Sequence, residues 1–194
     1  LLVRKHSSSK GSRRLHPAED RSACWVPAMN FTNHCLISVP PKTLWEFLTD
    51  IPKVATCLPG VEEVNKQDDT HYQGIITQKV GVVKLRLAGK IEIETMDATT
   101  RKAVMKVEAN DQRISGMIQG KLTMNLEEVS ANETRLIAGS DINLFGKIGE
   151  FGQPMIRKKA DQMMAEFAAN VAQKVGGTAV MQEVPSKPAS MLGI

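Results

Sequence analysis

The clearest signal in the chain is the alternation over residues 83–95. Val83, Leu85, Leu87, Ile91 and Ile93 fall on one side, and Lys84, Arg86, Lys90, Glu92 and Glu94 on the other. A period of two with one charged face predicts an antiparallel strand that is wet on one side. Gly89 takes a slot on the apolar side, where a long strand bends and space opens over the concave face. Phe31, Cys35, Ile37 and Val39 predict a strand over 31–39, and further strands are predicted over 71–80, 102–109, 114–128 and 133–144. The inward set of 114–128 is Ile118, Gly120, Leu122, Met124 and Leu126, and that of 133–144 is Leu136, Ala138, Ser140, Ile142 and Leu144. Turn residues at Asp68-Asp69, 97–100, Asn110-Asp111 and 130–132 join the strands as hairpins.

The helical pattern lies at the two ends of this run. Pro40-Pro41 closes the first strand, and Pro41 suits the first turn of a helix whose apolar stripe is Leu44, Trp45, Phe47 and Leu48. Asp50-Ile51-Pro52 opens a second short helix through Ala55, stopped by Pro59-Gly60. From Gly146 to Val175, Ile148, Phe151, Met155, Ala160, Met163, Phe167 and Val171 recur mostly every three or four residues, one face of a long helix. Gly149, Gly152 and Pro154 loosen its first turns, Gly176-Gly177 ends it, and its length from Pro154 is about 33 Å, enough to cross a small sheet. The prediction is an α+β domain over 29–175: a strongly curved antiparallel meander, two short helices after the first strand and a long C-terminal helix. Residues 176–194 read as a flexible tail, with a weak membrane-touching reading for Val180, Met181, Met191, Leu192 and Ile194.

Charge changes the picture at one end only. Of 25 basic and 21 acidic residues, six basic and two acidic fall in residues 1–28, so the whole net charge of +4 belongs to that segment. It is Ser-rich and has no hydrophobic period, and reads as a disordered basic N-terminal extension; its rival reading is an arm for acidic lipid headgroups. The electrically neutral remainder and the eight scattered aromatics give no case for nucleic-acid binding. No stretch of 18 apolar residues is present, so no transmembrane helix is predicted. Cys24, Cys35 and Cys57 are odd in number and lack CxxC spacing, which argues against a disulfide framework or a metal site and for reduced thiols in the cytoplasm.

Catalytic chemistry is sparse. His34 and Cys35 are adjacent in one strand, face opposite ways and make no dyad, and His71 stands at a hairpin start without a local partner. GxSxG, HExxH, a P-loop and a helix-opening GxGxxG are absent. Arg157-Lys158-Lys159 reads as a solvated helix face or as a docking patch for an acidic partner. What stands out is apolar: one long helix covers a concave aliphatic face only in part. Met105, Met117, Met124, Met155, Met163 and Met164 supply adaptable side chains, while Gly89, Gly120 and Ala138 interrupt the inward rows. Two readings stay open at this point, a filled core with methionine as plastic packing and a lipophilic pocket.

Three groups of motifs add a resemblance. The first group is Pro40-Pro41-Lys42-Thr43-Leu44-Trp45, Leu48-Thr49-Asp50 and Cys57-Leu58-Pro59-Gly60-Val61-Glu62. The second is Lys79-Val80-Gly81-Val82-Val83-Lys84 with Gly89-Lys90. The third is Gly146-Lys147-Ile148 to Phe151-Gly152, then Met163-Met164 to Phe167-Ala168-Ala169-Asn170. In this order, over roughly 31–171, they resemble the CoxG family, named for carbon monoxide dehydrogenase, within the START-like helix-grip (SRPBCC) superfamily. The resemblance implies a curved sheet gripping the long helix around a hydrophobic cavity. It also implies a role in assembling a molybdenum hydroxylase of the carbon monoxide dehydrogenase type, or recruiting it to the membrane. Val61 stands where a second Cys often follows the Cys-x-Pro-Gly motif, so a paired-thiol or metal role is not supported, and Ala88 stands in the strand row where an aromatic is frequent.

The expectation is therefore a non-catalytic protein with no intrinsic cofactor that binds a hydrophobic small molecule, a quinone or lipid. It would be cytoplasmic or peripheral at the inner face of the membrane. The expected lining is Leu85, Leu87, Ile91, Leu122, Met124, Ile142, Phe151, Met155, Met163 and Phe167, with Leu87→Arg as the test of it. Rival readings are a START-like cyclase or hydrolase using Tyr72, His71 or Asp141 at the cavity floor, and a ligand-free protein-binding scaffold.

Overall fold

Each alternating stretch becomes one strand of a single sheet. The computed structural model describes residues 28–182; the predicted basic extension up to residue 27 and the tail from residue 183 lie outside the described residues. The elements run β1 (Met29–Ile37), α1 (Pro41–Thr49), α2 (Ile51–Ala55), β2 (Val61–Lys66), β3 (His71–Val80), β4 (Val83–Asp97) and β5 (Lys102–Asp111). They continue with β6 (Gly116–Ser130), β7 (Glu133–Phe145), α3 (Gln153–Val175) and β8 (Ala179–Gln182). The sheet order is β2-β3-β4-β5-β6-β7-β1-β8, antiparallel throughout.

Three boundaries differ from the sequence reading. β2 carries only Val61 and Val64 as apolar residues, too few to show a period at a sheet edge. Ala179–Gln182 is a strand within the segment read as a flexible tail: Gly176 (φ +75°) and Gly177 turn the chain back so that it pairs with His34–Ile37. Gly146–Phe151 is a 3-10 turn rather than the start of the long helix, because Gly152 at φ +75° breaks the path before Pro154. The register also places Ala88 on the outer face, opposite Ile75 and Asn110, and not in the inner row.

Two clusters fill the inside. One gathers Cys35, Ile37, Leu44, Trp45, Cys57, Leu126 and Leu136 under Ala168, Val171 and Ala172 in the last turns of α3. The other gathers Met29, Phe31, Val80, Leu85, Leu87, Leu144 and Ile148, with Ile156 and Ala160 from the first turns of α3 packed against it. Each fully buried aliphatic side chain, such as Leu44, Leu136 or Ile148, contributes about 1.5–3 kcal/mol. On the outer face the predicted charged positions pair across strands: Lys106 and Lys121 both reach Glu94, at 2.9 Å each.

The Cys-x-Pro-Gly segment clamps the helix to the sheet. Asn170 on α3 donates to the Cys57 carbonyl at 2.9 Å. The buried Gln78 of β3 donates to the Pro59 carbonyl, and the Thr77 N–H donates to the Gly60 carbonyl at 2.8 Å. This loop thereby joins α2, β3 and the far end of α3.

Candidate functional site

The two clusters leave an uncovered zone between them. α3 packs chiefly against β1 and β8 and meets β3 and α1, so β4, β5 and β6 are not its main supports. Across those strands the inner face carries Tyr72, Ile91, Val107 and Gly120 in one row, and Ile93, Met105 and Leu122 in the next. Ile91, Ile93, Met105, Val107 and Leu122 point inward, are only half-buried and pack against neither cluster. Inward aliphatic side chains that remain accessible make an apolar cleft between sheet and helix.

Small residues shape this cleft for two different reasons. Gly89 has ordinary neighbours for a Cβ, Ala109 at 3.6 Å and the Glu108 carbonyl at 3.4 Å, so its missing side chain leaves room that a larger residue could take. Gly120 differs: a Cβ there would run into the Asp141 carbonyl, so it is required by close strand approach and not by the cleft.

The expected lining divides among these surroundings. Ile91 and Leu122 stand in the uncovered zone, and Met163 is half-buried outside both clusters. Met124 and Phe167 pack against the first cluster, Ile142 and Phe151 against the second. Leu85 and Leu87 belong to the second cluster with 2% and 6% of their surface exposed, so Leu87→Arg would test folding before it tested binding. Met155 is 44% exposed and lies beside the β3–β4 turn, 3.4 Å from the place of a Gly81 Cβ. The expected lining omits Ile93 and Val107, although the same period of two that marks Ile91 reaches both.

Polar groups on the inner face are few and mostly committed. Thr134 donates to the Val39 carbonyl at 2.8 Å, and Asn33 donates to Asp161 of α3 at 2.9 Å. Asp111 accepts from the Arg86 and Arg113 amides, at 2.8 and 3.0 Å, and from the Arg113 guanidinium. Of the three residues weighed for catalysis, Tyr72 faces inward. His71 lies in the next register position and faces out, bound to Asp68 at 2.9 Å, and Asp141 is exposed on the outer face. Burial pushes the Cys35 thiol up to about 11 and also raises that of Cys57, so neither is a ready nucleophile. Among the described residues there is no group of three or more metal-binding side chains, and no helix long and apolar enough to cross a membrane.

Two depressions lie elsewhere. One of about 370 Å3 on the outer sheet face is bounded by outward side chains including Gln73, Ala88, Lys90 and Asn110. The other, about 350 Å3, is framed by Phe47, Pro52, Lys53, Thr56 and Lys174. Neither opens on the apolar inner face.

Comparison with known proteins agrees with this architecture. No curated protein matches the chain in sequence. A conserved protein from Geobacillus kaustophilus superposes with a TM-score of 0.69 at 16% identity, covering 78% of this chain and 99% of that one. The ZhuI aromatase/cyclase from Streptomyces sp. R1128 gives 0.55 at 15% identity, over 77% and 94%. A START superfamily protein from Mycobacterium smegmatis gives 0.55 at 8%, over 76% and 97%. At such identities the likeness shows the fold alone, a START-like helix-grip fold with its curved sheet, short helices and C-terminal helix. Residues 34–176 match the family of the carbon monoxide dehydrogenase protein CoxG, and the chain belongs to that family.

Proposed function

We propose that the protein is a non-catalytic carrier of a hydrophobic small molecule, a quinone or a lipid, held in the cleft between β4–β6 and α3. In this reading it serves a molybdenum hydroxylase of the carbon monoxide dehydrogenase type as an accessory factor. The observation that carries the proposal is the half-buried inward patch of Ile91, Ile93, Met105, Val107 and Leu122. A ligand burying about 300 Å2 of apolar surface there gains roughly 7 kcal/mol before ordering costs. The accessory role is drawn from the family to which the chain belongs. The non-catalytic reading is supported by the raised thiols and by the outward placement of His71 and Asp141. The aromatase/cyclase likeness supports the fold and brings no acid–base pair with it.

Native mass spectrometry of the full chain from its own host, followed by solvent extraction, tests the reading. A co-purifying quinone or lipid is expected, with its retention lost in Leu122→Arg at unchanged secondary structure. A bare protein that shows no Tm shift across a quinone and lipid panel would favour the ligand-free scaffold.

A further inference from the structure

The inner face carries one aromatic hydroxyl with nothing to hold. Tyr72 starts the row that continues through Ile91 and Val107, and only 7% of its surface is exposed. Its hydroxyl has no hydrogen-bond partner among the described residues, unlike the nearby inner-face groups of Gln78, Asp111, Thr134 and Asn33, each bonded within the protein. No fully buried side-chain oxygen or nitrogen lacks a partner among these residues, so the phenolic oxygen keeps contact with open space. Its inner-face neighbours explain where that space is. Gly74 follows two residues later and Gly89 sits opposite Gly74, so no side chain rises beside the ring on that flank. Ile91 forms the wall on the other. Lys66, across the β2–β3 pair, is drawn away to Asp69 at 2.7 Å. Ser140, half-buried among Phe31 and Leu122, is another inner-face hydroxyl without a side-chain partner among the described residues, but it lies four strands away.

At neutral pH a phenol carries its proton and can donate it to an acceptor. In an otherwise aliphatic cleft it matches an apolar ligand bearing one hydrogen-bond acceptor. We propose that Tyr72 is the specificity-determining residue of the cleft, donating its hydroxyl proton to a carbonyl oxygen at the head of a ligand whose remainder is hydrocarbon. This rests on the cleft being a ligand site, as argued above, and adds the polarity of the ligand and the end at which it is read. A bare alkyl chain would gain nothing from this contact, and a ring ketone or quinone would.

The test compares the full chain with Tyr72→Phe, which keeps the ring and removes one oxygen. Equilibrium dialysis is run with two probes, a decyl-substituted benzoquinone and decylbenzene. The wild type is expected to bind both, and Tyr72→Phe to bind the quinone about 3- to 10-fold more weakly while holding decylbenzene unchanged, the worth of one neutral hydrogen bond. Equal affinity of both proteins for the quinone overturns the assignment. An equal loss for both probes also overturns it, because Tyr72 would then act by packing. If the wild type binds neither probe, the ligand-site reading itself fails. If it binds decylbenzene as tightly as the quinone, the cleft stands and the role of Tyr72 does not.

Discussion

The side-chain amide of Asn170 donates to the carbonyl of Cys57 at 2.9 Å, across 113 residues of sequence. Asn170 is in the last turns of α3 and Cys57 follows α2, so one hydrogen bond ties the covering helix to the loop that also holds β3. Removing it in Asn170→Ala leaves a partly buried carbonyl without its donor. The cost is about 1–2 kcal/mol, a fall in Tm of roughly 2–8 °C for a domain of this size. Gln173→Ala, on the exposed side of the same helix, is expected to shift Tm by less than about 2 °C. Thermal unfolding followed by circular dichroism compares the two.

Two glycines of the family motifs are expected to respond in opposite ways. Gly60 has φ +78°, and a Cβ there would run into the Thr77 carbonyl, so Gly60→Ala combines left-handed strain with a backbone clash and should cost more than about 2 kcal/mol. Gly89→Val meets only ordinary contacts, suits a strand and projects into the cleft. It should keep its Tm and lose apolar-ligand affinity roughly 4- to 15-fold, the worth of one or two displaced methylenes at ~0.8 kcal/mol each. A Gly89→Val protein that binds the decyl quinone as well as the wild type would place the ligand elsewhere.

Acid stability should depend on Asp111. Its side chain is 1% exposed and accepts from two backbone amides and from the Arg113 guanidinium, at 3.1 Å from Nε and 2.7 Å from Nη2. These donors hold its carboxyl well below the usual carboxylate range. A folded-state pKa below the unfolded value of about 3.9 means that the contribution is fully present at neutral pH and is lost as pH falls below about 4. Asp111→Asn should therefore lower Tm at pH 7, and the gap between variant and wild type should close between pH 4 and pH 2. A gap that stayed constant across that range would assign the effect to shape instead of charge.

How far the fold is legible follows from which residues carry a period. β4 is plain because Val83 to Ile93 alternate without interruption, and the inward rows of β6 and β7 follow the same rule in the register observed. β2 is hidden because Val61-Glu62-Glu63-Val64 bulges between Val61 and Glu63, which breaks the alternation where an edge strand already needs few apolar residues. β8 is hidden because four residues after a glycine pair give no period at all, and its pairing with β1 is a tertiary event. The cleft is legible as a set of inward residues but not in its coverage. Leu85 and Ile91 look alike in sequence, yet the 3-10 turn bearing Ile148 seals the first, while the second lies outside both packed clusters. That difference depends on where α3 crosses the sheet, which no local pattern encodes.

The β3–β4 turn bears on recruitment to a membrane, the remaining part of the proposed role. Val82 at its tip is 96% exposed, and Met155 of α3 lies against the adjoining Gly81. Lys79 and Lys84 face each other across the hairpin behind the tip, and Lys158 follows one turn after Met155 on α3. None of these three lysines has a carboxylate within ion-pair distance among the described residues, whereas Lys66, Lys106 and Lys121 all do. An apolar tip backed by uncommitted cations is the arrangement that an anionic lipid surface rewards, with about 1 kcal/mol per lysine near the surface. The full chain is expected to sediment with vesicles containing 30% phosphatidylglycerol and to do so less as salt rises. Val82→Asp should weaken this binding, and Lys79→Glu with Lys84→Glu should weaken it further, by roughly 30-fold if each lysine contributes that amount. Binding that survives the double charge reversal would place the lipid contact outside this hairpin, and binding equally strong to phosphatidylcholine vesicles would remove charge from the account.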